Sequence, residues 1–150
     1  MTLQASHQNV LAIFSAIKSV VGEEGWQAGT ESEWNGCSSN GEAGAQFMLT
    51  AIRNETLSGT PDEITQRVAE TLETKVGLTG IQIQHDSTLS PTRTVIGYPN
   101  GYNGGTADDG FGFQFQADPS YVGAIIYGHC AAGKPPKLGT PLNPRPSNAP

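Results

Sequence analysis

Basic residues are scarce in this chain, eight Lys and Arg against fourteen Asp and Glu, which leaves a formal net charge of −6 over 150 residues. They are also scattered: Lys18, Arg53, Arg67, Lys75 and Arg93, then Lys134, Lys137 and Arg145. Nucleic acid and anionic lipid are bound by clustered cations that neutralise phosphates, and no such cluster forms along this sequence. Charges of either sign reach only 15%, while Gly, Ser, Thr, Asn and Gln are common. That composition suits an exported, strand-rich domain better than a cytosolic enzyme. No apolar run approaches the ~20 residues of a membrane-crossing helix. The basic n-region of a secretory leader is missing too, since Met1 runs directly into Thr2, Leu3 and Gln4. Two readings follow, a cytosolic protein or a mature exported domain whose leader has been trimmed, and a helical pattern that begins almost at once favours the second.

Thiols are equally rare. Cys37 and Cys130 are the only two, and each closes a stretch that reads as a strand. There is no Cys-x-x-Cys redox pair, and no oxyanion-loop signature accompanies a nucleophile built from Cys130 beside His129. Two cysteines and three scattered histidines also lack the spacing of a zinc site, so no metal is expected. No glycine loop matches a phosphate cradle and no cofactor motif is present. What remains is a structural disulfide between the first and last strands. In an oxidising compartment such a link stabilises a fold by roughly 4–5 kcal/mol on the chain-entropy argument.

Apolar residues at helical spacing (Val10, Phe14, Ile17 and Val21, with Leu11, Ile13 and Val20 beside them) predict a helix from Leu3 to Val21, stopped by Gly22. A polar segment with Trp26, Trp34 and Cys37 runs to Asn40, and strict alternation predicts a strand from Ala45 to Arg53. Thr60-Pro61-Asp62-Glu63 is a capping box with proline in the first turn, and Ile64, Val68, Leu72 and Val76 then recur every four residues up to Gly77. Four strand-like runs follow: Ile81 to His85, Arg93 to Tyr98, Phe111 to Ala117 and Tyr121 to Cys130. The order predicts an α+β two-layer sandwich, with two helices on one face of a mainly antiparallel sheet of about five or six strands. One domain covers residues 1–133, and the Pro-rich stretch 134–150 is expected to be an extended tail.

His85-Asp86-Ser87 contains the residue types of a hydrolytic triad, but adjacent residues rarely face one another as a triad requires. It reads as a strand end entering a turn, and His7 as an exposed side chain. Trp26 and Trp34 read as covers for the sheet edge or packing beneath a helix. Glu23, Glu24, Glu31 and Glu33 read as solvated. The loop from Tyr98 to Gly110 joins two core strands with far more residues than a hairpin needs. Its Tyr98, Asn100, Tyr102, Asn103, Asp108 and Asp109 are the candidate binding residues, through aromatic surface and side-chain oxygens. Asn100, Asn103, Asp108 and Asp109 do not follow an EF-hand pattern, so calcium is the lesser reading.

A leading helix, the run Trp34-Asn35-Gly36-Cys37, then Asp109-Gly110-Phe111-Gly112-Phe113-Gln114-Phe115, and a closing Gly128-His129-Cys130 together resemble small secreted lipoproteins of actinobacteria, the LppA-like group. The resemblance implies a helix-on-sheet fold held by a Trp…Cys…Cys framework and an envelope location, with a lipid anchor preceding the domain. It supplies no catalytic residues. The function expected is a non-enzymatic exported envelope domain that binds a protein partner at the bacterial surface. Two alternatives are an immunity-type protein that neutralises a toxin and a carrier of lipid or another small ligand. A hydrolase using His85 or His129 is the weakest reading.

Overall fold

The first helix starts where its cap dictates. In the computed structural model, which describes residues 1–27, 32–39, 41–100 and 109–134, Thr2 Oγ1 accepts from the Ala5 amide at 3.0 Å and opens α1 (Leu3–Val21). Gly22 ends it. The second helix, α2 (Pro61–Val76), carries the full capping box. Thr60 Oγ1 accepts from the Glu63 amide at 3.1 Å, and Glu63 Oε1 accepts from the Thr60 amide at 3.2 Å. Gly77 takes the left-handed conformation (φ 78°) that closes a helix without a Cβ penalty.

Among the described residues seven strands form one antiparallel sheet: β1 (Ser32–Ser39), β2 (Glu42–Arg53), β3 (Gln84–Asp86), β4 (Arg93–Tyr98), β5 (Gly112–Asp118), β6 (Tyr121–Tyr127) and β7 (Ala131–Ala132). Their spatial order is β1-β2-β6-β5-β4-β3, and β7 pairs with β2 at Gly44 and Ala45, next to the end of β6. Both helices pack on the same face. Alternation decides which side chains meet them. Ala45, Phe47, Leu49 and Ala51 of β2, Val122, Ala124 and Ile126 of β6, and Phe113, Phe115 and Ala117 of β5 lie buried under Ile13, Ile17, Ile64, Val68 and Leu72. The predicted two-layer α+β architecture is observed. Residues 135–150, most of the expected tail, lie outside the described residues.

Two strand predictions need correction. The run Ile81 to His85 yields only Gln84–Asp86 as strand. Asn100 takes over the backbone before it, accepting from the Gln82 amide at 3.1 Å and donating to the Gly80 carbonyl. The last strand stops at Tyr127 rather than running on to Cys130. There Gly128 approaches α1 so closely that a Cβ would stand 2.9 Å from Val10 Cγ2.

The tryptophans cover structure. Trp26 Nε1 donates to the Gly22 carbonyl at 2.8 Å and its ring meets Phe14 edge-on. Trp34, only 6% exposed, packs edge-on against Phe47. His7, expected to be exposed, is instead partly buried, its ring 4.2 Å from that of Phe47 and 5.8 Å from that of Trp34. The start of α1 lies over this aromatic pair, and the loss of water lowers the His7 pKa below its ordinary value. The unfolded chain therefore takes up a proton at His7 before the folded one does. The His7 contribution to stability is complete above about pH 6.5 and is lost as pH falls below it. Urea unfolding between pH 7.5 and 5.5 is expected to show a loss that the His7→Asn variant lacks. Equal losses in both proteins would contradict the burial assignment.

Candidate functional site

One corner of the sheet gathers the two strongest signals of the sequence. Cys37 on β1 and Cys130, in the connection between β6 and β7, are disulfide-bonded, with Cα atoms 6.0 Å apart at a sequence separation of 93. Cys37 stands opposite Gly44 of β2, on the face away from the helices. The 128–131 connection crosses over Gly44 to reach it. A Cβ there would lie 2.3 Å from the Ala131 carbonyl oxygen and 3.1 Å from Cys130 Sγ. Backbone cannot retreat as a flexible side chain can, so Gly44→Ala is expected to lower stability by about 1–3 kcal/mol. Gly36→Ala, with nothing within 4 Å of the added atom, is the matched control in the same urea titration. Equal losses for the two would contradict the crossing.

The residue before Cys130 holds the base of the Tyr98–Gly110 loop. His129 Nδ1 lies 2.7 Å from Asp109 Oδ2, and its ring stacks on Phe111 at 3.9 Å with only 2° between planes. Asp109 Oδ1 accepts from the Phe111 amide at 3.1 Å, and Tyr98 meets Phe111 edge-on at 6.0 Å. The contact between Nδ1 and the carboxylate fixes the orientation of the imidazole ring. Two further groups pin the same segment. Ser6 Oγ, fully buried on α1, donates to the His129 carbonyl at 2.6 Å, and Gln46 Nε2 donates to the Gly128 carbonyl at 3.0 Å. Gly110 adopts φ +80° against Gln46, where a Cβ would stand 2.5 Å from the amide nitrogen.

Of the predicted loop residues, Tyr98 and Asp109 thus converge on Phe111 and His129. Asn100 does not, being committed to Gly80 and Gln82. Tyr102, Asn103 and Asp108 lie outside the described residues. Among the described residues no group of three or more His, Cys, Asp or Glu is placed to hold a metal ion. An oriented histidine–carboxylate pair is two thirds of a nucleophilic triad. Among the described residues nearby the sulfurs and the Ser6 hydroxyl are otherwise engaged: both sulfurs are in the disulfide, and the Ser6 hydroxyl serves the His129 backbone. With side chains 31% and 29% exposed, the pair is a half-open fastening of the loop base.

The His85-Asp86-Ser87 run does not form a triad either. His85 Nε2 turns to Asp62 Oδ1 at 2.9 Å, at the start of α2, and Asp86 bonds back to the Thr88 amide at 3.0 Å. The Thr94 hydroxyl, donating at 2.6 Å, and then His85 hold the Asp62 carboxyl below its usual range. The sheet face away from the helices has no covering layer among the described residues. A shallow groove of about 210 Å³ runs along it between Thr50, Ile52, Gln114, Gln116, Tyr121 and Ile125. Arg93 caps the groove, stacked 4.1 Å over the Tyr121 ring and donating to Gln116 Oε1 at 3.0 Å.

Sequence reasoning found Cys37, Cys130 and the loop, but not the residues that connect them. Ser6, Gly44 and Gln46 act through partners that are distant along the chain, and His129, named from the sequence only as a candidate base, is joined to Asp109 by the topology alone. The run Gly128-His129-Cys130, which adjoins the cysteine, was the one available hint.

No family model matches the sequence, and no curated protein matches it. Among solved structures the chain is similar to a DUF4853 family protein from Actinomyces odontolyticus, with a TM-score of 0.56 and 14% identity over 99% of this chain and 76% of that one. The likeness shows the fold. At this identity only the architecture transfers, and no lipoprotein family is shown. A disulfide is the mark of an oxidising, extracytoplasmic setting, and no helix among the described residues is long and apolar enough to cross a membrane.

Proposed function

We propose that this chain is a non-enzymatic exported domain of the bacterial envelope that binds a protein partner through the clasped corner. One observation carries the reading: the Asp109–His129 bond fastens the base of a long loop directly beside the Cys37–Cys130 disulfide. Pinning a loop at its base lowers the ordering entropy that a binding surface must lose on association. Tyr98 at the loop's start adds the amphipathic aromatic type favoured at interfaces.

The test uses the whole chain as bait against an envelope extract, beside a variant with residues 100–108 replaced by a short Gly-Ser turn. A protein retained by the parent and lost with the altered loop supports the reading. Equal retention by both, with both folded, overturns it. The net charge of −6 favours one specific form of the reading, an immunity-type protein facing a basic toxin. Retention that collapses as salt is raised would select that form. A carrier role finds less support, because the space between helices and sheet is filled by fully buried Ile13, Ile17, Ile64, Leu72, Phe113 and Phe115. Native mass spectrometry with a retained small molecule would revive it.

A further inference from the structure

His7 meets the clasped corner from the helix side. Its ring lies 4.2 Å from that of Phe47 and edge-on to Trp34 at 5.8 Å. Two residues beside it hold the 128–131 crossing. Ser6, its neighbour in sequence, is fully buried and donates to the His129 carbonyl at 2.6 Å. The carbonyl of Phe47, its neighbour in space, accepts from the Gly128 amide at 2.8 Å. Contact between α1 and the crossing is close, since a Cβ on Gly128 would stand 2.9 Å from Val10 Cγ2 and 3.1 Å from Ser6 Oγ. The His129–Asp109 bond then extends this packed unit to the loop base.

The unit is built around a neutral ring. Among the described residues no hydrogen bond or ion pair holds His7, and burial alone lowers its pKa. The charged groups of the elements packed on it are turned elsewhere. Alternation sends Glu33 of β1 and Glu42 of β2 to the sheet face opposite Trp34 and Phe47. On the crossing, His129 is paired with Asp109, and Lys134 beyond β7 is exposed. On the helix side Met1 is exposed, and Lys18, the only other titratable side chain of α1, lies over the Phe14 ring. An imidazolium at His7 has rings beneath it and no carboxylate facing it, so full hydration requires it to lift from Phe47. A second observation reduces the cost of lifting. Trp34 Nε1 is buried without a hydrogen-bond partner, and opening lets water reach it, which recovers part of that loss.

We propose that His7 is a proton-operated latch: in acid its ring leaves Phe47, the start of α1 lifts from the crossing, and the base of the Tyr98–Gly110 loop is released. The Ser6–His129 bond carries the movement from helix to loop. The closed arrangement holds the ring neutral, whereas the open one takes up its proton at the ordinary value. Closure is therefore favoured above about pH 6.5 and is lost as pH falls below it. Any effect on binding rests on the partner reading above, but the latch is measured without a partner, so the two fail separately.

Amide hydrogen exchange of the full chain at pH 7.5 and 5.5, corrected for the intrinsic pH dependence of exchange, tests it. Gly128 and Phe111, whose amides bond to Phe47 and Asp109, are expected to lose protection at the lower pH while α2 keeps it. His7→Phe leaves a ring over the aromatic pair that cannot take a proton, with His129 and Asp109 untouched, and is expected to abolish the loss. Should that ring fail to pack, His7→Asn, also neutral at both pH values, is expected to make protection independent of pH. Equal protection of Gly128 and Phe111 at the two pH values in the parent overturns the proposal. So does a loss that persists in the His7 variants, or one shared equally by α2.

Discussion

Replacing Cys37 and Cys130 together by serine is expected to lower the free energy of unfolding by about 4–5 kcal/mol. The link removes from the unfolded chain the closure entropy of a loop joining residues 93 apart in sequence. Domains of this size are stable by roughly 5–15 kcal/mol, so the loss is a large share of the total, and urea titration will show it as a lower midpoint. The effect has a local part as well. Without the link, the crossing above Gly44 keeps the Ser6 and Gln46 hydrogen bonds but loses its covalent tie to β1. Amide exchange near Phe111 and Ala131 should then rise more than exchange in α2, which among the described residues contacts none of β1, β2 and β7. A loss below about 1 kcal/mol would mean the cysteines contribute as buried apolar groups only.

The second large effect is expected from Phe113→Ala, at about 3–5 kcal/mol of destabilisation. Phe113 is fully buried and sits opposite Tyr98 on β4 and Ile126 on β6. Removing its ring leaves a cavity at the centre of the helix–sheet layer that a packed core refills only partly. Its neighbour Gln114 points to the open face, and Gln114→Ala is expected to change stability by no more than about 0.5 kcal/mol. The pair of variants, measured side by side by denaturant unfolding, tests the one-sided construction of the sheet. Comparable losses would mean that the open face is also packed.

Local rules carried the reading of the sequence a long way. The capping box at Thr60 and the alternation of Phe111 to Ala117 are written in adjacent residues, and both elements appear close to where the pattern put them. The pairing of Cys37 with Cys130 was legible because only one pair can be drawn from two cysteines. Patterns failed where a distant group takes over the backbone. Ile81 to Ile83 alternates like a strand, yet the Asn100 side chain satisfies the backbone at Gly80 and Gln82 and the ladder begins only at Gln84. Tyr121 to Cys130 is apolar enough for one strand, yet Gly128 lets the chain leave the sheet beside Val10 and Gln46 holds it there. His7 stands between Ser6 and Gln8 in the sequence and read as exposed, since nothing nearby in sequence announces Phe47 and Trp34. The candidate site was legible as a loop and a cysteine pair. Their meeting through His129 and Asp109 was not, since that contact depends on the order of strands β2, β6 and β5.

Compartment, clasp and presented loop all rest on one covalent bond, and a proteolytic map of the chain under non-reducing conditions reads it directly. Protein purified without reductant is expected to give a single linked peptide pair carrying Cys37 and Cys130, with no thiol open to alkylation in denaturant. Two alkylated cysteines and no linked pair would contradict the account.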